Sequence, residues 1–198
     1  MAPRYASSWM SYIGRVHDLL AWPEVKLATF ARAGVLVRVH RRGHAPCMLF
    51  TQQSVGDRSR LRDFGGRVDS AEHPVHTALR ELQEESLGVL LPWVSTPQSV
   101  LDSKVFALSD NLYVLVDLYG VNVADVQAQF LKTKAALTAK ALASGCEVPE
   151  YLREVDEIVD VPMWDILSKL HLRTPPVYGK YQFSWNMWKV LRGMGQRV

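Results

Sequence analysis

Cysteine is scarce: Cys47 and Cys146 are the two in 198 residues. Two thiols build neither a disulfide framework nor a structural zinc cluster, which need several Cys or Cys/His pairs at close spacing. That usage fits a reducing, cytoplasmic setting, with an organelle or the nucleus left open. Long apolar runs are missing too. None approaches the roughly 18 residues that would span a bilayer, so no membrane partner is expected. The first twenty residues lack a continuous apolar core and an obvious small-residue cleavage site, and they read as an amphipathic helix rather than a signal peptide. Charge of one sign is also lacking. With 23 Lys and Arg against 20 Asp and Glu, the net charge is only +3. That is too mild to announce a polyanion, although the basic C-terminal residues Lys180, Lys189, Arg192 and Arg197 leave room for an anionic partner. Internal repeats, low-complexity tracts and linkers are absent as well, which excludes solenoids and arrays.

What remains is ordinary globular composition, 48% apolar and 22% charged, at a length that suits one domain with a sizeable core. From Ser7 to Leu20, Trp9, Ile13, Val16, Leu19 and Leu20 recur at helical spacing, so residues 1–30 are expected to form a helical extension. Residues 31–198 are expected to form the domain proper, with helices at its C-terminal end. "AGVLVRVHRRGHAPCMLFTQQ" predicts two strands joined by a turn, and "SVGDRSRLRD" a loop. "KVFALSDNLYVLVDLYGVNV" predicts a second hairpin broken at "SDN". A helix of several turns follows, with Val126, Phe130, Ala135 and Leu137 as its apolar positions and Gly145 as its stop. "EIVDVPMWDILSKL" predicts a short strand, a proline break and a helix carrying Trp164, Ile166, Leu167 and Leu170. In the aromatic, basic tail, Phe183, Met187, Val190 and Leu191 recur at helical intervals.

The informative stretch is "GGRVDSAEHPVHTALRELQEESLG", residues 65–88, which holds five carboxylates and two arginines. Pro74 suits a first helical turn, where its missing N–H costs nothing, so a helix is expected from there to about Leu87. At 100° per residue Val75, Ala78, Leu79, Leu82 and Ser86 share one arc, while Glu81, Glu84 and Glu85 share another. Like charges at these spacings repel by a few tenths of a kcal/mol per pair. They also sit toward the end of the helix where the dipole disfavours negative charge. A hard divalent cation such as Mg²⁺ or Mn²⁺ would relieve both penalties, because such ions prefer clustered carboxylate oxygens. Arg80 can pair with Glu84 four residues on.

The stretch resembles the Nudix box, the signature of the Nudix hydrolase superfamily. That pattern is Gly, five residues, Glu, seven residues, Arg-Glu, an aliphatic, any residue, Glu-Glu, any residue, Gly and an aliphatic. Gly66, Glu72, Arg80, Glu81, Leu82, Glu84 and Glu85 fall in register. At about 6% frequency each, the six fixed Gly, Arg and Glu matches coincide by chance on the order of 10⁻⁷ per starting position. One departure stands out. Leu87 then Gly88 occupy the places of Gly then aliphatic, and the late glycine predicts a helix slightly longer than usual.

The box covers about an eighth of the chain, and the resemblance implies the rest. The fold would be α/β of the α+β kind, a Nudix-type α/β/α sandwich with a mixed central sheet and helical additions at both ends. The activity would be divalent-metal-dependent hydrolysis of a diphosphate bond in a nucleotide, or in a nucleoside diphosphate linked to another moiety. Glu84 and Glu85 would be the main ligands of Mg²⁺ or Mn²⁺, and Glu81 a ligand or a base. Arg80 would hold the acids, Gly65 and Gly66 would permit close backbone approach, and Glu72 would make a supporting contact. In some family members a late loop supplies the general base, which makes Glu150, Glu154, Asp156 and Glu157 candidates, with Glu154 and Glu157 preferred. Arg38, Arg41, Arg42, Arg58, Arg60 and Arg62 flank the box as phosphate contacts. Trp93, Phe106 and Tyr113 are candidate base-stacking rings, with core packing the default for each. RNA decapping is the alternative activity and would need a basic RNA track. A non-catalytic binding module is the third reading, and the complete acidic set argues against it. The oligomeric state stays open, a homodimer being compatible.

Overall fold

A computed structural model describes residues 11–55, 58–94 and 97–195. Along the chain run β1 (Ser11–Arg15), α1 (Val16–Leu20), α2 (Glu24–Leu27), β2 (Arg32–His40), β3 (Cys47–Val55), β4 (Arg58–Arg62), β5 (Phe64–Arg67) and α3 (Pro74–Glu85). Then come α4 (Leu91–Val94), α5 (Pro97–Leu101), β6 (Lys104–Leu108), β7 (Asn111–Tyr119), α6 (Val123–Ala143) and α7 (Glu150–Glu154). The last elements are β8 (Glu157–Pro162), α8 (Met163–Lys169), β9 (Val177–Tyr178), β10 (Tyr181–Phe183) and α9 (Trp185–Gly195).

Alternation along β2 sets the architecture. Ala33, Val35, Val37 and Val39 are buried against Val75, Ala78 and Leu82 of α3 and Val126 and Phe130 of α6. Leu36 joins Phe50, Leu115, Ile166 of α8 and Met187, Trp188 and Leu191 of α9 in a separate cluster. Each fully buried Val or Leu contributes about 1.5–3 kcal/mol, so a strand slipped by one residue would forfeit both cores. Helices thus cover both faces of one sheet, the α/β/α sandwich expected from the sequence.

The sheet is mixed. β2 lies parallel to β7 along its whole length, from Arg32↔Asn111 to His40↔Tyr119. Its other edge is shared: β3 pairs antiparallel at one end (Val37↔Leu49) and β5 at the other (Gly34↔Gly65). β3 also pairs with β4 and β8, and β10 adds parallel to β4. The chain therefore passes from β3 onto β2 through Asp63, which lays Gly65 and Gly66 along the central strand just ahead of α3. Among the described residues no helix is long and apolar enough to cross a membrane.

Several expectations are corrected. Within the predicted helix of residues 7–20, Ser11–Arg15 is instead a strand paired with β6, and helix begins at Val16; Ser7–Met10, with Trp9, lie outside the described residues. The edge of β6 offers ladder partners, and Tyr12 packs edge-on against Phe106, which outweighs a weak helical pattern. The predicted loop "SVGDRSRLRD" contains β4, because Leu61 is buried between two arginines and the backbone pairs on both edges. In α6 Val126 and Phe130 are buried but Ala135 is exposed. In α8 Ile166 is buried, while Trp164 and Leu167 face outward. Phe183 belongs to β10 rather than to the helix after it.

Candidate active site

The acidic helix starts where proline and histidine allow it to. Pro74 takes the first position, and His73 Nδ1 accepts from the Val75 N–H at 3.1 Å. Val75, Thr77, Ala78 and Leu82 are buried, which turns the opposite arc, and its acids, away from the core. The helix does not run long as expected. It ends at Glu85 with Ser86 as cap, and Leu87 itself adopts a left-handed backbone (φ 52°), followed by Gly88 at φ 74°. Gly88 N–H donates to the Gln83 carbonyl at 2.8 Å and Leu87 N–H to that of Glu84 at 3.1 Å, the paired bonds of a Schellman end. Leucine thus occupies the position that usually belongs to glycine, at a cost of about 1–2 kcal/mol.

Arg80 organises the exposed side of the helix. Its Nε and Nη2 each donate to Glu72 at 3.2 Å, and Nη1 donates to Glu81 at 2.8 Å and to Glu84 at 3.2 Å. These bonds hold Glu72's carboxyl below its ordinary range, helped by Thr77 Oγ1 at 2.7 Å. Burial pushes Glu81's carboxyl up despite the guanidinium beside it.

Glu85 is more deeply placed. One carboxylate oxygen accepts the Gly65 N–H at 2.8 Å. Burial and the nearby Asp63 carboxylate together push its carboxyl well above the usual carboxylate range. Beneath it lies a partly buried ion pair. Arg32 donates to Asp63 Oδ2 at 2.6 Å and to the Gly65 carbonyl at 2.6 Å, fixing both sides of the strand that carries Gly65. Gly65 is sterically required by backbone, and Gly66 by the present position of the Glu81 carboxylate. A Cβ on Gly66 would lie 2.2 Å from Glu81 Oε1, and one on Gly65 would lie 2.6 Å from Gly34 Cα.

Gly65, Gly66, Glu81, Glu84 and Glu85 line a cleft of about 370 Å³, and Glu150 and Glu154 of α7 complete its acidic wall. Glu72 and Arg80 stand beside it through the Arg80 bonds. Glu157 is not brought to the cleft: it accepts from Tyr181 Oη at 2.8 Å and pairs with Lys180 at 3.1 Å. Asp156 is likewise engaged, accepting the Ser54 N–H at 2.9 Å. Of the flanking arginines, Arg62 lines the cleft, whereas Arg38 is bound to Asp117 and Arg41 faces Asp160 at 3.7 Å. Phe106 and Tyr113 are buried, and Trp93 lies away from the cleft. Sequence reasoning missed Thr51, Gln53, Arg67 and Tyr151 in the lining, and the Arg32–Asp63 pair below it. Arg67 sits inside the box and was the most findable of these; Thr51 and Gln53 reach the cleft through the pairing of β3, and Tyr151 through α7.

Among the described residues no trio of acidic, histidine or cysteine side chains closes on one point as a metal set. The Arg80 guanidinium lies among three of the acids instead. The donors nevertheless suit a hard divalent ion. All are oxygens, and burial disfavours the charge on Glu81 and Glu85, a penalty that a cation would relieve.

The chain matches no protein-family model and, by sequence, no curated protein. Solved structures similar to it include a C. elegans Ap4A hydrolase binary complex, at 14% identity and TM-score 0.43, covering 83% of this chain and 94% of that one. Another is RenU, a Nudix hydrolase from M. smegmatis, at 15% identity and TM-score 0.41, covering 86% and 88%. A third is a mutT/nudix family protein from Listeria innocua, at 15% identity and TM-score 0.39, covering 84% and 90%.

Proposed function

We propose that this chain is a Nudix-type hydrolase that cleaves a diphosphate bond in a nucleotide, or in a nucleoside diphosphate linked to another group, with Mg²⁺ or Mn²⁺. The observation that carries this is the convergence of Glu81, Glu84 and Glu85, with the Gly65–Gly66 strand, on one cleft that also holds Arg62. Residues from about 31 to 198 would constitute the hydrolase domain, working in a reducing compartment.

Glu84 and Glu85 would hold the metal, with Glu81 as a third ligand or as the base. Bound there, a divalent ion would neutralise the diphosphate and lower the pKa of a water. The protein's own groups do the remaining work. Arg62 and Arg67 would meet phosphate oxygens with charge-assisted hydrogen bonds. Arg80 restrains Glu81 and Glu84 so that their carboxylates need little reordering. Glu154 and Glu150, which line the same cleft, would take a proton from water in preference to Glu157, which is engaged with Tyr181 and Lys180.

The test is a panel of nucleoside triphosphates, dinucleoside polyphosphates, nucleotide sugars, inositol pyrophosphates and capped RNA with each metal, products being identified. Turnover of at least one diphosphate is expected, falling at least about 10²-fold in Glu84→Gln and Glu85→Gln with the fold retained. Unaltered rates in both variants at saturating Mg²⁺ would overturn the proposal.

A further inference from the structure

A second cavity of about 240 Å³ adjoins the cleft, lined by Arg60, Arg62, Gly65, Tyr113, Trp185 and Asn186 together with their neighbours. Arg62 and Gly65 line the acidic cleft as well. A substrate whose diphosphate lies in the cleft therefore has its next group at this cavity. The far wall comes from the C-terminal addition. β10 lies parallel to β4, with Phe183 opposite Leu61, and α9 starts two residues later. Phe183, Met187 and Trp188 are buried and anchor that junction, while Trp185 is 55% exposed.

Three of the side chains presented there are uncommitted, whereas Arg62 donates to Gln53 Oε1 at 2.6 Å. Among the described residues Trp185 makes no ring contact, the Asn186 amide no hydrogen bond and Arg60 no ion pair. Arg32, Arg38 and Arg80, in contrast, are each bound to carboxylates. The cavity is smaller than the ~300–1,000 Å³ typical of a site for a whole drug-sized ligand, so it suits one part of a substrate. An exposed indole, an amide with both donor and acceptor, and two guanidiniums match a flat hydrogen-bonding ring attached to phosphate.

We propose that Trp185, Asn186 and Arg60 form the subsite for the nucleobase end of a nucleoside polyphosphate, with the base stacked on Trp185, its edge read by Asn186, and Arg60 and Arg62 on the adjoining phosphate. The proposal rests on the reading of the cleft as the diphosphate site. It adds to that reading the residues that select for the base, because a sugar phosphate or an inositol pyrophosphate offers the indole no aromatic face.

The experiment is calorimetric titration of the full chain with AMP and with ribose 5-phosphate. The wild type should bind AMP about 10-fold more tightly. Trp185→Ala should bring AMP down to the level of ribose 5-phosphate, Trp185→Phe should keep most of the preference, and the melting temperature should confirm that both variants fold. Equal affinity for the two probes in the wild type, or an unchanged AMP affinity in Trp185→Ala, would overturn the subsite. The cleft is read separately. If Glu84→Gln abolishes turnover while Trp185→Ala leaves AMP binding intact, the subsite fails and the cleft stands. If no diphosphate is hydrolysed while AMP binding still depends on Trp185, the cleft reading fails and the subsite stands.

Discussion

Gly66→Ala separates the chemistry of the site from the stability of the fold. A Cβ there would meet Glu81 at 2.2 Å from Oε1, 2.4 Å from Cδ and 2.7 Å from Oε2, so that carboxylate must move. It ends a flexible side chain and can rotate away, giving up its 2.8 Å bond to Arg80. One charge-assisted bond of a partly exposed pair is worth about 1 kcal/mol, so the urea midpoint should fall by only about 0.5 M. Moving a reacting carboxylate by about 1 Å, however, costs about 10²-fold in rate. Gly65→Ala should behave in the opposite sense. Its Cβ would lie 2.6 Å from Gly34 Cα and 2.7 Å from the Ala33 carbonyl oxygen, both backbone atoms of the central strand. With no side chain to swing aside, overpacking should cost about 3 kcal/mol. Urea unfolding followed by tryptophan fluorescence, with a diphosphate hydrolysis assay on the same preparations, checks both. Wild-type turnover in Gly66→Ala, or a larger loss of stability there than in Gly65→Ala, would refute the reasoning.

Three further outcomes are expected. Arg32→Met should destabilise by about 3 kcal/mol, because it strands Asp63, whose side chain is 7% exposed; adding Asp63→Asn should restore part of that in the same unfolding assay. Burial raises the carboxyl pKa of Glu85 and Glu81 above the ordinary 4.5, so the metal-free protein should lose stability as the pH climbs from there through the raised values. Glu85→Gln should flatten that decline, and the rise in melting temperature with Mg²⁺ should grow with pH as the ion replaces protons; a Mg²⁺ effect independent of pH would contradict this. Glu154→Gln should lower kcat about 10-fold or more and shift the pH–rate profile, whereas Glu157→Gln, removing a partner of Tyr181 and Lys180, should leave kcat within about 2-fold.

How much of this was legible beforehand depended on whether the signal is local. The Val- and Leu-rich run from Ala33 to Val39 names its strand and the apolar arc of Val75, Ala78 and Leu82 names its face, because such signals act within a few residues. Both became the walls of the same core. The acids of α3 were likewise readable from spacing. That Glu150 and Glu154, of the four late acids, line the cleft is visible only in the structure, since which acid of α7 and β8 turns inward is decided by pairing between β3 and β8. The Arg32–Asp63 pair was illegible for the same reason: 31 residues separate partners that meet only because β5 folds back on β2.

Leu87 shows where a sequence rule and the physics behind it part. The rule says that glycine ends such a helix, and a glycine one place late predicts a longer one. The left-handed position is set by the bonds from residues 87 and 88 to the carbonyls of Glu84 and Gln83, not by which residue stands there. Adding a further turn would swing Leu87 and Val89, both packed against the core, out of their places. A partly buried leucine is worth about 1 kcal/mol, so two such contacts match or exceed the left-handed penalty of about 1–2 kcal/mol. The helix therefore stops on time, and Glu85 keeps the depth at which the Gly65 N–H can reach it.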